Sequence, residues 1–297
     1  MQLDDFKTLE IEDKRVFDRF FSEECSEISE LTFTNLFMWR HKYRPLWVQE
    51  KGCLLITLTP GHETPFGLQP IGSGDKRDAL NTLCSTLEEG VGHARICRVS
   101  ENFVQRHVDP ERFDCTFDQD QGDYVYATQD LIRLAGRKYH KKKNLINRFF
   151  KNYAFQYWKL DVERVECFLD MQENWCRIRE CVEDPGLLSE DYAIREALIH
   201  FEEMDYKGGA IEMNGRLEAI SIGELLNPET AVIHIEKANP EIPGLYAAIN
   251  QLFCEKAWSN VSYINREQDL GIEGLRKAKQ SYLPHHLVKK YVVTPNP

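Results

Sequence analysis

The sequence contains no apolar run near the roughly 20 residues that a membrane helix requires; its longest, such as Cys53–Leu58, stop far short. Met1-Gln2-Leu3-Asp4-Asp5-Phe6 has neither a basic nor an apolar stretch. No signal peptide is therefore expected, and the protein reads as soluble and cytoplasmic. The nine cysteines include no Cys-x-x-Cys pair, Cys176 and Cys181 being the nearest neighbours. Zinc ribbons, dithiol redox motifs and a secreted disulfide framework are poorly supported on that spacing. Several cysteines (Cys53, Cys84, Cys97) keep apolar company, so the set reads as reduced core residues. Gly-x-Gly-x-x-Gly, Walker A, Gly-x-Ser-x-Gly and His-Glu-x-x-His motifs are all missing. His285-His286 stands alone, and no metal site is expected.

What is present is an ordinary globular composition. Hydrophobic residues make up 42% and charged residues 29% of 297, which excludes a disordered, collagenous or coiled-coil chain and suggests about two domains. The net charge of −11, from 37 basic and 48 acidic residues, argues against indiscriminate nucleic-acid binding. Its distribution says more. Residues 133–151 hold Arg133, Arg137, Lys138, Lys141, Lys142, Lys143, Arg148 and Lys151 without one acid, and 274–297 is also acid-free, whereas 161–205 holds fourteen acids against four arginines. An acidic protein that gathers its cations into two segments can build a local anion site.

Periodicity predicts a helix over 13–24, a hairpin over 46–59 around Lys51-Gly52, a helix over 75–89 and a buried strand over 94–99. Residues 32–40 are too polar and aromatic to assign, and read as packing. The second half begins with a strand at 123–126. The basic segment follows as a helix over 137–153, with Leu145, Ile146, Phe149, Phe150 and Tyr153 as its apolar stripe. A strand over 155–160, a helix over 163–181 and a helix capped by Ser189 come next. Asn214-Gly215 then marks a tight turn between strands 210–213 and 217–224. A third strand over 231–237, a helix over 243–259, strand 261–265, helix 272–282 and strand 290–293 complete the chain. Helix, hairpin, helix, strand and helix recur in both halves, which indicates an α/β (α+β) fold of two related domains, 1–122 and 123–297.

Three features carry candidate chemistry. Lysines and arginines at a helix start oppose the macrodipole, so the run Arg137 to Lys143 suggests an anionic ligand. Strand 261–265 opens into Asn265-Arg266-Glu267-Gln268-Asp269, a cluster of donors, a cation and carboxylates at the carboxyl end of a buried strand. On the preceding strand Ile233 and Ile235 alternate with His234 and Glu236, which share the other face, and Glu224 ends the strand before that.

Leu31 to Arg40, Gly136 to Phe149, and Tyr263 to Gly271 continuing through Arg276, Lys279, Ser281, Tyr282 and Pro284 resemble the DUF2156 family of bacterial proteins. That family is similar to the cytoplasmic carboxyl-terminal domain of phosphatidylglycerol lysyltransferases. The resemblance spans nearly the whole chain and implies two tandem GNAT-like acyltransferase domains, each a mixed, mostly antiparallel sheet flanked by helices. It also implies kinship with Fem-type transferases that take aminoacyl-tRNA as donor. The membrane-embedded portion of full lysyltransferases has no counterpart in the matched residues.

The expected function is transfer of an acyl or aminoacyl group to an amine or hydroxyl acceptor, a lipid or a peptide. Glu236 or Glu267 is the candidate catalytic carboxylate, with Asn265 and Arg266 positioning the substrate and Asp269 in the same binding cluster. Lys141, Lys142, Lys143, Arg148, Arg276 and Lys279 are the candidate anion site, a basic patch for tRNA beside peripheral contact with lipid. Coenzyme A is the less favoured donor. Where acyl-CoA enzymes of this fold carry a glycine-rich pyrophosphate loop, the sequence reads Ala238-Asn239-Pro240-Glu241-Ile242-Pro243-Gly244-Leu245, and proline lacks the N–H that such a loop supplies. An acyl-CoA-dependent N-acyltransferase and a non-catalytic ligand-binding module are the alternatives.

Overall fold

A computed structural model describes residues 1–61 and 63–296. They form two compact units. The first holds Met1–Asp123, Gln268–Glu273 and Leu287–Pro297; the second holds Tyr124–Glu267 and Gly274–His286. The first sheet contains β1 (Lys7–Thr8), β2 (Leu46–Glu50), β3 (Cys53–Leu58), β4 (Phe66–Gly67), β5 (Ile71–Gly72), β6 (Ile96–Ser100) and β7 (Phe113–Phe117). The second contains β8 (Asp123–Ala127), β9 (Gln156–Lys159), β10 (Lys207–Met213), β11 (Arg216–Asn227), β12 (Thr230–Ala238), β13 (Tyr263–Asn265) and β14 (His286–Val288). The last strand, β15 (Lys290–Pro295), returns to the first sheet. The orders are β1-β2-β3-β4-β6-β15-β7, with β5 on β3, and β14-β8-β13-β12-β11-β10-β9. Most pairs are antiparallel, and β4–β6 and β12–β13 are parallel, so both sheets are mixed and mostly antiparallel, as the sequence indicated.

In the first unit α1 (Lys14–Glu24), α2 (Phe33–Met38), α3 (Arg40–Tyr43), α4 (Lys76–Val91) and α5 (Glu101–His107) accompany the sheet. The unassigned aromatic stretch is therefore helical: Thr32 Oγ1 accepts from the Asn35 N–H and starts α2, all six of whose residues are buried. A helix buried on every side shows no amphipathic period, which is why the stretch gave no pattern. Leu55, Leu80, Leu83, Ile96, Val99 and Val293 lie in this unit's core.

A charge cluster, closed to solvent, ties the returning strand down. The Lys290 ammonium, fully buried, donates to Glu30 Oε2 at 2.5 Å and Asp123 Oδ1 at 2.7 Å. The Ser29 N–H donates to Asp123 Oδ2 at 2.9 Å, and Arg98 lies 3.4 Å from Glu30.

The second unit carries α6 (Thr128–Arg133), α7 (His140–Asn152), α8 (Val165–Ile178), α9 (Pro185–Ile199), α10 (Leu245–Trp258) and α11 (Glu273–Gln280). Asn214 and Gly215 take φ of 52° and 77° between β10 and β11, the left-handed pair that a two-residue type I′ turn needs. The helix assigned to a Ser189 cap starts earlier. Asp184 accepts from the Gly186 and Leu187 N–H groups with Pro185 in the first turn, and Ser189 Oγ donates to the Pro185 carbonyl inside the helix. The Asp-Pro pair is the better start signal because it supplies the acceptor and a preset φ together.

Phe149 of α7 joins Ile211, Ala219, Leu245 and Ile249 in one core cluster, and Ile146 is buried with it, whereas Leu145 and Phe150 of the predicted stripe are exposed. Cys176 and Cys181 form a disulfide, in contrast to the expected reduced set; the chain leaving α8 turns back and brings their Cα atoms to 5.0 Å, inside the bridging range. Cys53, Cys84 and Cys254 are buried free thiols.

Gly223 marks a register shift between β11 and β12. A Cβ there would fall 2.4 Å from the Val232 carbonyl oxygen, and backbone cannot move aside as a side-chain tip can. Gly223→Ala is expected to destabilise the second unit by about 1–3 kcal/mol, read from chemical denaturation followed by the tryptophans of that unit.

Candidate active site

Parallel strands β12 and β13 pair over three residues only, Thr230–Tyr263, Ala231–Ile264 and Val232–Asn265. Beyond Val232, β12 runs on to Ala238 while the chain after Asn265 turns away. The two strands thus part into a wedge, and side chains of both walls meet in it. Glu267 turns the chain at φ 58°. Asn265 Oδ1 accepts from the Glu267 N–H at 2.7 Å, and the Lys279 ammonium donates to the carbonyls of Arg266 and Glu267.

That turn directs Arg266 at β12. Its Nη2 donates to Glu236 Oε1 at 2.8 Å, and Glu236 Oε2 accepts from Asn250 Nδ2 of α10 at 2.7 Å. The guanidinium lies 4.8 Å from the Tyr282 ring centroid and 5.7 Å from that of Tyr126. Burial disfavours its charge, but Glu236 outweighs this and the pKa stays raised. Nη1 is buried with no hydrogen-bond partner.

Lys142 of α7 comes to the same place. Its ammonium sits 3.5 Å from the centroid of the Tyr282 ring. Burial, then repulsion from Arg266, lowers its pKa to about 8 against the pull of Glu236. A ligand anion held by Lys142 should therefore bind more weakly as pH rises through about 8, because only the protonated amine attracts it. Lys142→Arg is expected to remove that step, measured as inorganic phosphate or pyrophosphate affinity between pH 6.5 and 9.5.

His234 has the most constrained side chain of the wedge. Only 1% exposed, its ring places Nδ1 2.7 Å from Glu267 Oε1 and Nε2 2.8 Å from Glu224 Oε1. Burial opposes the charge, yet the two carboxylates raise its pKa to about 10.

The structure thus gathers Glu236, Asn265, Arg266, Glu267, Lys279 and Lys142 around one wedge. Lys141, Lys143 and Arg148 are exposed on α7, and Arg276 is half-buried on α11. Asp269, in the first unit, is fully buried and its Oδ1 accepts from the Gly271 N–H at 2.9 Å, a turn-closing role. Both candidate carboxylates are already engaged, Glu236 by Arg266 and Asn250, Glu267 by His234. Glu224 lies against His234, not Glu236. Asn250 and Tyr126 had no sequence signal, since nothing local marks a residue contributed across the fold. A separate groove of about 720 Å³ between α8 and the β10–β11 turn, bordered by Trp158, Cys167, Met171 and Arg216, contains none of these residues.

The segment where coenzyme A would place its pyrophosphate is closed by its own contacts. The N–H groups of Glu241, Ile242 and Leu245 bond within the loop. A Cβ on Gly244 would lie 3.0 Å from the Leu145 carbonyl and 3.1 Å from Phe149 Cβ, so α7 covers that side. These residues do not fit a pyrophosphate cradle.

Residues 25–294 match the family described as phosphatidylglycerol lysyltransferase, C-terminal. The chain belongs to this family. A conserved protein of unknown function from Bacteroides thetaiotaomicron is 33% identical, with a TM-score of 0.91 over 98% of this chain and 99% of that one. The L-PGS structure from Bacillus licheniformis is 12% identical, with a TM-score of 0.64 over 95% and 91% of the two chains. A tandem GNAT protein of the clavulanic acid pathway, 8% identical with a TM-score of 0.50 over 98% of each chain, shares the fold. An uncharacterised protein from Mycoplasmoides gallisepticum is 25% identical over 174 residues, which is 58% of this chain and 55% of that protein. The architecture is that of tandem GNAT-like domains, and family membership supports acyl or aminoacyl transfer as the general activity. Among the described residues, no helix is long and apolar enough to cross a membrane.

Proposed function

We propose that the chain transfers an aminoacyl group from aminoacyl-tRNA to an amine or hydroxyl of a lipid or peptide acceptor, at the wedge between β12 and β13. One observation carries this reading: Lys142 of the basic helix and Arg266 beyond β13 flank the same Tyr282 ring. Two cations there can hold a phosphate or the oxyanion of an ester under attack. The closed 238–245 segment favours a donor other than coenzyme A. In the step itself the acceptor nitrogen or oxygen bonds to the ester carbonyl carbon, and the carbon–oxygen bond to the tRNA ribose breaks. The acceptor's proton goes to the ribose hydroxyl that departs. Alignment accounts for much of the rate in such a transfer.

Lys141, Lys143 and Arg148, exposed on α7, are the RNA-facing cations in this scheme. Replacing all three by alanine is expected to weaken charged-tRNA binding and to lower the slope of log affinity against log salt by about 2–3. Filter binding at several salt concentrations checks this. Undetectable binding at low salt, or an unchanged slope, overturns the donor assignment, as would a rise in melting temperature with millimolar coenzyme A and none with charged tRNA.

A further inference from the structure

We propose that His234 is a positioning residue: its imidazolium clamps Glu224 and Glu267 across the wedge and thereby fixes the turn that aims Arg266. The part played in transfer rests on the function proposed above; the clamp itself does not. The geometry decides the protonation state. Carboxylates only accept hydrogen bonds, and both ring nitrogens face one, at 2.7 and 2.8 Å. A neutral imidazole has one N–H and one bare lone pair, so it would satisfy one glutamate and repel the other. The doubly protonated ring satisfies both.

The clamp sits where the backbone stops holding the walls together. The last paired residues are Val232 and Asn265, and His234 and Glu267 each lie two residues beyond. Glu224 of β11 anchors the opposite side of the ring, so three consecutive strands of the sheet are fastened at one level. Glu267 needs such a hold. It adopts a left-handed conformation unusual for a residue other than glycine, φ 58°, and it directly follows Arg266. The charged groups facing this assembly are Glu224 from β11, Glu236 from β12, Arg266 and Glu267 from the turn, and Lys279 from α11. Lys279 holds the backbone of the turn and His234 holds its side chain. Deprotonating the ring, or removing it, takes one hold from the Glu267 carboxylate and loosens the turn on that side.

The test uses the full chain labelled with nitrogen-15 at histidine, arginine and lysine. At pH 7 the His234 resonances should show both ring nitrogens protonated, and this should persist to pH 9. In Glu224→Gln, which keeps size and one acceptor, the ring should lose its proton at lower pH than in the parent. In His234→Gln the Arg266 guanidinium should exchange its protons at least tenfold faster, while Lys142 signals and the melting transition of the first unit stay in place. With charged tRNA, this variant should bind within about twofold of the parent but transfer at least tenfold more slowly. A neutral His234 ring at pH 7, or unchanged Arg266 exchange in a folded His234→Gln protein, overturns the proposal. A parent protein with no transfer overturns the aminoacyl-tRNA reading alone, and the resonance measurements then decide the clamp by themselves.

Discussion

Lys290→Met is expected to destabilise the first unit by about 3–5 kcal/mol, the usual cost of removing one partner from a buried ion pair. The ammonium is fully buried between Glu30 and Asp123, and methionine would fill its volume without its charge. Two carboxylates would then share a solvent-free site, with Arg98 still beside Glu30. Loss of hydrogen-exchange protection along β6 and β15 reports the effect locally, which matters in a protein with two units. The pH dependence follows from the charges. Burial raises the Glu30 pKa, but Lys290 and Arg98 outweigh it and hold the carboxyl below its ordinary range. Its stabilising share is therefore present above the unfolded value near 4.3 and lost as pH falls through the folded one. Lys290, raised by its two carboxylates against burial, contributes below about 10.4 and loses its share as pH rises through its folded value. In the methionine variant, acid instead neutralises the stranded carboxylates, so the gap between parent and variant should narrow toward pH 4. A variant that also replaces Glu30 and Asp123 by apolar residues should recover most of the loss; failure to recover would show that the cluster does more than balance its own charges.

If the chain acts as proposed, Arg266→Lys is expected to cut aminoacyl transfer by about 10²–10³-fold, the usual consequence of removing one preorganised charge donor from a reacting site. Lysine keeps the charge but not the planar fork, which here reaches Glu236 with one arm while the flat cation rests against Tyr282. Single-turnover deacylation of charged tRNA, run against amine and hydroxyl acceptors, measures the loss. Circular dichroism and the second-unit melting transition should change little, since the ion pair to Glu236 can be remade. Equal transfer by the lysine variant would remove Arg266 from the reacting geometry.

Much of this architecture was legible in residue order. The basic helix announced itself by its stripe, the β10–β11 hairpin by Asn214-Gly215, and the wedge turn by the polar burst from Asn265 to Asp269. Each is a local signal, and each element formed within a few residues of its expected span. What escaped was non-local. Nothing near Lys290 indicates that its strand belongs to the first sheet, because a strand's partner depends on the whole topology. Alternation put His234 and Glu236 on one face, but not which carboxylate each neighbour would meet. Glu236 faces Arg266, while His234 takes Glu224 and Glu267. The Cys176–Cys181 bridge was likewise invisible, since it depends on the chain reversing between α8 and α9.

The placement of β15 also orders events during synthesis. The strands on either side of it, β6 and β7, emerge from the ribosome about 190 and 170 residues before Lys290–Pro295 do. Every residue of the second unit is made in that interval. The amino-terminal half must therefore wait, the slot between β6 and the edge strand β7 open and Asp123 without its lysine, while the later half is free to complete first. Nascent chains stalled before Lys290 should consequently show a protease-resistant second unit and a protease-sensitive first one.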